Sequence, residues 1–201
     1  KDNERLYDLH NAFSDKEINA IICARGGYGA LRLVNLIDYD LISKNPKIFV
    51  GFSDITILNT MFLKKSGLIS FSGPMAQSDF SSDNINLFTK DSFFKSLMSE
   101  NFEIYAQNYK SYSSVSNAEG ILIGGNLSTL ASLCGLDFVP NEKFILFIED
   151  LGEPVYKIDR YLTQLLTTET FRKNLSAIVL GDFLDIDDNK YFDNLFENLS
   201  Q

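Results

Sequence analysis

The sequence predicts an α/β protein in which short parallel strands alternate with helices. Buried runs of branched and aromatic residues recur along the chain, and each is followed by a turn and then by a stretch of helical periodicity. Strands that alternate with helices favour a parallel sheet with right-handed crossovers. The predicted strands are Ile18 to Ala24, Lys47 to Val50, Leu68 to Phe71, Ile121 to Ile123, Phe144 to Ile148 and Ala177 to Leu180.

The helices are predicted from apolar residues spaced three and four positions apart. They are Asn3 to Phe13, Leu31 to Ile37 with a further turn at Tyr39 to Ser43, Ile55 to Lys65, Leu87 to Met98, Asn126 to Cys134, Ile158 to Leu166 and Tyr191 to Leu199. We expect Gly124-Gly125 to form a turn and Asn126 to cap the helix that follows.

The polar stretch from Ser99 to Glu119 has no sustained period and indicates a connection between two domains. The predicted organisation is therefore an N-terminal domain over residues 1–98, a linker over 99–119 and a C-terminal domain over 120–201. A short extended piece is expected at Phe102 to Tyr105.

Composition limits the classes of function. The 201 residues are 45% hydrophobic, which is enough for a substantial core, and the formal charge of −9 disfavours nucleic acid or an anionic membrane as partner. No apolar run approaches the ~20 residues that a transmembrane helix needs, and the first residues do not resemble a signal peptide. Cys23 and Cys134 lie among apolar residues and are expected to be reduced, which favours the cytoplasm.

Ser53 is the principal candidate for chemistry. It follows a predicted strand and precedes a predicted helix, so its hydroxyl would lie at the sheet edge beside the backbone amide of Asp54. A nucleophile next to an oxyanion donor is what acyl transfer needs. The hydrolase pattern G-x-S-x-G is broken, however, because Ile55 replaces its second glycine. The alternative, which these residues favour on their own, is a helix N-cap with a favourable charge beside it.

The glycine-rich loop Arg25-Gly26-Gly27-Tyr28-Gly29 could bind an anion with its backbone amides. It does not fit the dinucleotide fingerprint, whose third glycine would fall at Arg32, and it lacks the end of a phosphate loop. It is either a turn that needs glycine conformations or a second source of oxyanion donors, with an amide facing Ser53.

Three further residues are candidates with ordinary alternatives. Glu149, at the end of a predicted strand with Asp150, could orient a histidine, or it could cap the next turn. Arg160 could bind a substrate carboxylate or form an exposed ion pair. His10, the single histidine, lies in the first predicted helix beside the face of Leu6, Leu9 and Phe13, and it is expected to be partly packed. No cysteine and histidine cluster has the spacing of a metal site.

Five motifs in order resemble the L,D-carboxypeptidase family, the murein tetrapeptide carboxypeptidases whose relatives include the microcin immunity peptidases. The motifs are Ala24 to Gly29, Pro46 to Thr56, Gly73 to Met75, Gly124 to Ser128 and Ile145 to Asp150.

The resemblance implies a serine peptidase with a Ser-Glu-His triad. It implies a flavodoxin-like or Rossmann-like N-terminal domain followed by a second α/β domain. Ser53 matches the nucleophile and Glu149 the triad glutamate, while the amide of Asp54 supplies an oxyanion donor. Gly26 and Gly27 are placed there by geometric inference. The implied substrate is cytoplasmic murein tetrapeptide, which loses its terminal D-alanine during cell-wall recycling, without metal or cofactor, in a homodimeric enzyme.

The sequence departs from this family in two ways: no histidine follows Glu149, and the opening strand and helix of the family are missing before Lys1. We therefore expect both domains to be cut and the 201 residues to be inactive, whereas a longer parent protein is a peptidase. Loss of a triad member can cost ~10⁴ to 10⁶ in turnover. Three alternatives stay open: an inactive muropeptide-binding protein, a microcin-type immunity peptidase and a nucleotide-binding domain.

Overall fold

A computed structural model describes residues 1–81, 85–99, 109–113 and 117–200. The chain divides into two compact units, Lys1–Glu103 and Ile104–Gln201, and each contains a parallel sheet with helices. The predicted α/β class is thus confirmed. The extended piece expected at Phe102 to Tyr105 lies outside the described residues, as does much of the predicted linker, and the domain bounds stay a prediction. Within the described residues, no helix is long and apolar enough to cross a membrane.

The first unit has two paired strands and four α-helices among its described residues. These are α1 Asp2–Ser14, β1 Ala20–Ile22, α2 Tyr39–Lys44, β2 Ile48–Val50, α3 Thr56–Ser66 and α4 Leu87–Met98, with 3-10 turns at Leu31–Leu33 and Ser53–Ile55. β1 and β2 are parallel, with Ile21 opposite Phe49. The carbonyl of Val50 accepts from the amide of Cys23, and that of Phe49 accepts from Phe71. Successive carbonyls point to opposite sides of a strand, so β2 lies between β1 and Phe71.

Three aromatic rings form the centre of this unit. Phe13 of α1, Phe49 of β2 and Phe62 of α3 are at most 1% exposed, and their ring centroids lie 5.0 to 6.1 Å apart. α3 is buried along its first seven residues, which fixes the start of this helix against the sheet.

Two predictions for the first unit are wrong. The helix expected from Leu31 to Ile37 is only a 3-10 turn followed by irregular turns, and α2 is a separate helix. The reason is a cap: the Asp38 carboxylate accepts from the amide of Leu41 at 2.9 Å and starts α2 anew. The strand expected at Leu68 to Phe71 is reduced to one bridge, between Phe71 and Val50.

The second unit has a parallel sheet in the order β3, β4, β5. Its elements are β3 Ile121–Asn126, α5 Leu127–Ala131, β4 Phe144–Leu151, α6 Val155–Thr167, α7 Glu169–Asn174, β5 Leu175–Leu184 and α8 Asn189–Leu199. α5 packs against β3 and β4, and α6 packs against α5. In the register of this sheet, Asn126 at the end of β3 lies opposite Glu149 on β4.

Two predictions for the second unit also need correction. Gly124-Gly125 is not a turn but the end of β3, in positive-φ conformations of 129° and 134°. A Cβ on Gly124 would lie 1.8 Å from the carbonyl oxygen of Phe147, so a side chain here would collide with the neighbouring strand. The helix expected from Asn126 to Cys134 ends at Ala131. Asn126 does cap it, accepting from the amide of Thr129 at 3.0 Å.

Candidate active site

Ser53 lies on a sharp corner between β2 and α3. Its φ is +61°, in the left-handed region that residues with a side chain seldom adopt. An N-cap has extended backbone angles instead. Here the residue with those angles is Phe52, which precedes the turn and has no side-chain group that could cap it. The capping interpretation of Ser53 is therefore wrong. A serine in a strained strand-to-helix turn is the arrangement that presents a nucleophile at a sheet edge.

The backbone before Ser53 is held closely on both sides. A Cβ on Gly51 would lie 2.8 Å from Ile55 Cγ2 and 3.1 Å from Cys23 Sγ, so only glycine fits there. The buried side chain of Asn59 on α3 donates from Nδ2 to the carbonyl of Gly51 at 2.9 Å. Burial raises the pKa of Cys23 to about 11, which keeps this thiol neutral and makes it a packing residue.

The glycine-rich loop after β1 meets Ser53 through Gly26. A Cβ on Gly26 would lie 2.9 Å from Ser53 Cβ, 3.0 Å from Ser53 Oγ and 3.6 Å from the amide nitrogen of Asp54. Gly27 has φ +105° and is exposed, and its nearest side chain is that of Arg25. The structure therefore brings Gly26 into contact with the candidate nucleophile, and the lack of a side chain there leaves room for the hydroxyl.

Asp54 connects the serine corner to this loop through its side chain. The residue is 9% exposed, and its Oδ2 accepts a hydrogen bond from the amide of Ala30 at 2.9 Å. Asp54 was predicted as a backbone oxyanion donor or, in the capping interpretation, as a favourable charge at the start of the helix. Its side-chain contact joins residues 24 positions apart.

His10 does not take part in this arrangement of Ser53. Its ring lies half-buried on α1, and Nε2 accepts a hydrogen bond from the amide of Asp38 at 3.0 Å. The lone pair of that nitrogen is used in the contact, so His10 is a packing and capping residue.

In the second unit, Glu149 lies half-buried on β4 beside a hydrogen-bonded network. Asp150 is 4% exposed and accepts from the side chain of Asn126 at 2.9 Å, the amide of Ser128 at 2.8 Å and its own neighbour Leu151 at 2.9 Å. Asp150 is thus satisfied within the fold.

The surroundings of Glu149 raise its pKa above the ordinary value. Desolvation by burial is the main cause, and the negative charge of Asp150 adds to it, whereas a hydrogen bond from Asn126 lowers the pKa. From the sequence, Asn126 was predicted as a helix cap and as part of the Gly124 to Ser128 motif. Asn126 lies opposite Glu149 at the end of the neighbouring parallel strand, a pairing that the structure shows and the sequence alone does not.

Arg160 is exposed on α6 and lies over the ring of Tyr156, 5.4 Å from the centroid. Within the described part of the chain, Arg160 makes this cation–π contact and not the ion pair that was one of its two expected roles. The other role, binding a substrate carboxylate, stays a prediction.

The geometry in the first unit defines a class of protein. A parallel α/β scaffold that holds a serine at positive φ, with a glycine against its hydroxyl and a helix start behind it, is typical of serine hydrolases. Matches to known protein families then identify the family. The LD-carboxypeptidase N-terminal domain matches residues 1–73, and the LD-carboxypeptidase C-terminal domain matches residues 119–201. The chain belongs to the LD-carboxypeptidase family, which confirms the predicted resemblance.

Relatives and solved structures agree with this family. A Bacillus subtilis protein named "probable murein peptide carboxypeptidase" is 44% identical over 82% of this chain and 52% of its own length. The murein tetrapeptide carboxypeptidase of Pseudomonas aeruginosa is 37% identical over 90% of this chain and 61% of its own. The crystal structure of muramoyltetrapeptide carboxypeptidase from Oxalobacter formigenes matches with a TM-score of 0.86 and 34% identity, covering 99% of this chain and 70% of that one.

The microcin branch of the family is also similar. The microcin C7 self-immunity protein MccF of Escherichia coli is 30% identical over 89% of this chain and 60% of its own length. The 201 residues thus span about half to two thirds of the curated relatives that they match.

Proposed function

We propose that the protein is a serine carboxypeptidase that releases the terminal D-alanine of murein tetrapeptide, with Ser53 as its nucleophile. The observation that carries the proposal is the backbone of Ser53, whose φ of +61° places the hydroxyl against Gly26 at the carboxyl end of β2. Membership of the LD-carboxypeptidase family supports the reaction class. The names of the Bacillus and Pseudomonas relatives support the substrate.

In this mechanism the Ser53 hydroxyl attacks the carbonyl carbon of the residue before D-alanine while a base takes its proton. The resulting oxyanion is stabilised by backbone amides, for which we assign Asp54 and the Gly26-Gly27 loop. When the tetrahedral species collapses, the C–N bond breaks and the D-alanine amine leaves with the proton. Water then hydrolyses the acyl-enzyme by the same steps and restores the Ser53 hydroxyl.

Glu149 is proposed as the carboxylate that orients the imidazole of a Ser-Glu-His triad. The hydrogen bonds from Asn126 and Ser128 to Asp150 hold the end of β4, the strand that carries Glu149. His10 is the single histidine of the 201 residues, and its Nε2 is bonded to Asp38. We therefore expect the 201 residues alone to be inactive, with the base supplied elsewhere in the complete protein.

The remaining assignments follow from this role. The substrate would be a soluble muropeptide produced during turnover of the cell wall, so we place the enzyme in the cytoplasm and in peptidoglycan recycling. A homodimer is the proposed assembly. Arg160 is proposed as a partner of the substrate carboxylate, because its guanidinium is exposed on α6.

The test is D-alanine release from L-Ala-γ-D-Glu-meso-diaminopimelyl-D-Ala by the complete protein and two variants. Ser53→Ala should lower turnover by ~10⁴-fold or more, because the nucleophile is lost. Glu149→Gln should lower kcat by ~10² to 10⁴-fold, because the imidazole loses its orienting charge. Undiminished release by Ser53→Ala would refute the proposal.

A microcin-type activity is the second candidate, supported by the similarity to MccF. An aspartyl sulfamoyl adenosine, the compound bound in one of the MccF structures, serves as the competing substrate in the same assay. Ser53-dependent cleavage of this compound without release of D-alanine would replace the murein substrate while keeping the nucleophile. Tetrapeptide binding with no turnover of either compound would favour an inactive binding protein.

A further inference from the structure

The carboxylate of Asp54 holds the end of the glycine-rich loop against the serine corner. Its Oδ2 accepts from the amide of Ala30 at 2.9 Å, and both residues are buried, with Ala30 fully enclosed. A buried hydrogen bond to an ionised acceptor is stronger than a neutral one, and an unpaired amide in its place would be costly. This contact therefore determines where the loop from Arg25 to Gly29 ends.

The loop itself has little intrinsic preference for one conformation. Gly27 and Gly29 have φ values of +105° and +100°, and glycine adopts many other angles equally well. Among the described residues, a further side-chain hydrogen bond at this loop is exposed and runs from Arg5 Nη1 to the carbonyl of Gly29 at 3.2 Å. Of the two contacts, the buried one to Asp54 is the stronger restraint.

The position of the loop matters because Gly26 lies against the nucleophile. The space beside Ser53 Oγ is too small for a methyl group, since a Cβ on Gly26 would lie 3.0 Å from this oxygen. A shift of the loop by a few tenths of an ångström would therefore change the geometry around the reacting hydroxyl. Oxyanion donors act only when they are held in place before the reaction.

We propose that the Asp54 side chain is a positioning residue for oxyanion stabilisation, acting through Ala30 to hold the Gly26-Gly27 backbone beside Ser53. The proposal rests on the proposed function of Ser53. Asp54 thus has two roles in this proposal. Its backbone amide donates to the oxyanion, and its carboxylate holds the Gly26-Gly27 backbone in place through Ala30.

The experiment uses the complete protein and compares Asp54→Leu with Asp54→Asn. Leucine has a similar shape without an acceptor, whereas asparagine retains an acceptor oxygen for the amide of Ala30. We expect Asp54→Leu to lower kcat for D-alanine release by ~10² to 10³-fold, as loss of an oxyanion donor does, with KM changed less than about threefold. Asp54→Asn should stay within about tenfold of the wild type.

Two further readouts separate positioning from folding. A peptidyl boronic acid, which forms a tetrahedral adduct with a serine hydroxyl, should lose affinity for Asp54→Leu in parallel with kcat/KM. Asp38→Leu is the matched control, because Asp38 also accepts a backbone amide with its carboxylate but caps α2. It should lower the unfolding midpoint and leave kcat unchanged.

The hydrogen bond between Asp54 and Ala30 can also be removed at its donor, the amide of Ala30. Ala30 has φ −61°, which suits proline, so Ala30→Pro removes the amide and keeps the test decisive if Asp54→Leu does not fold. Wild-type kcat in folded Asp54→Leu or Ala30→Pro, or equal losses for Asp54→Leu and Asp54→Asn, would overturn the proposal while Ser53→Ala stays inactive. Full activity of Ser53→Ala would instead remove the proposed function itself.

Discussion

At the scale of single residues, the backbone of Ser53 stores conformational strain. A side chain at φ +61° costs roughly 1 to 3 kcal/mol, and the surrounding fold must supply this energy. The Asn59 contact with Gly51 and the Asp54 contact with Ala30 lie on either side of the corner and hold it in this conformation. Strain that is kept at Ser53, the proposed nucleophile, agrees with a residue whose hydroxyl position matters more than stability.

This strain predicts a difference between two inactive variants. Ser53→Ala and Ser53→Gly both lose the hydroxyl, but only glycine adopts positive φ without cost. We expect Ser53→Gly to be more stable than Ser53→Ala by about 1 kcal/mol, measured as the free energy of unfolding in urea. Equal stability of the two variants would show that Ser53 is unstrained in solution.

The pKa of Glu149 is the second residue-scale property. Burial and the charge of Asp150 raise this pKa, so the folded state holds the proton more tightly than the unfolded chain does. Above the ordinary glutamate value of about 4.3, the contribution of Glu149 to stability therefore falls as pH rises, until pH passes the raised pKa. Glu149→Gln, which does not titrate, should lack this fall.

The causes of that shift make opposite predictions for two neighbours. Asp150→Asn removes a negative charge and should lower the pKa of Glu149. Asn126→Ala removes a hydrogen bond to the carboxylate and should raise it. Titration of the Glu149 carboxyl carbon by ¹³C NMR measures both, with the surface glutamates as internal controls. Shifts of the same sign in the two variants would contradict this account of the network.

At the scale of elements, local patterns predicted most of the fold. The long helices α1, α4 and α6 were anticipated to within a few residues, because their apolar spacing is a property of each segment alone. The surroundings of Ser53 were predicted as a strand, a serine and a helix in sequence, with the glycine-rich loop as a possible second source of oxyanion donors. The decisive contacts, Asp54–Ala30 in the first unit and Asn126–Asp150 in the second, each join residues 24 positions apart and leave no local pattern.

The two glycines at the end of β3 show why one signal has two interpretations. A glycine pair predicts a turn when φ must be positive, but it also permits close approach of two strands. Gly124 serves the second purpose, since a Cβ there would lie 1.8 Å from Phe147 O. Periodicity within one strand contains no information about the backbone of the next, so the sequence could not separate these cases.

The close approach of β3 to β4 at Gly124 predicts that even an alanine at this position severely destabilises the fold. Gly124→Ala should destabilise the fold by about 4 kcal/mol or more, because strand β3 must move away from β4. Gly135→Ala is the matched control: Gly135 also has positive φ, at 99°, but no described residue other than its chain neighbours lies within 4 Å of its Cβ position. It should cost only about 1 kcal/mol. Urea unfolding of the two variants measures both, and similar losses would show that backbone angle alone accounts for Gly124.

At the scale of the whole molecule, the family motifs are divided between two compact units. Ser53 and its supporting loop belong to the first, and Glu149 with its network belongs to the second. Each unit has its own parallel sheet and its own aromatic centre. The chemistry proposed here thus requires both units to be folded, although each is organised around separate packing.

This division predicts how local stability responds to two equivalent substitutions. Phe62 in the first unit and Phe171 in the second are both 0% exposed, and each packs against other rings, with centroid distances as short as 5.0 Å and 4.9 Å. Replacing either by alanine should cost roughly 3 to 5 kcal/mol, through reduced burial and the cavity left behind. Hydrogen exchange measured by mass spectrometry should then show reduced protection in the unit that carries the substitution, because the aromatic packing that the substitution removes belongs to that unit. Equal loss of protection throughout the chain, from either variant, would show that the two units unfold together. A substitution in either core would then affect both Ser53 and Glu149 directly.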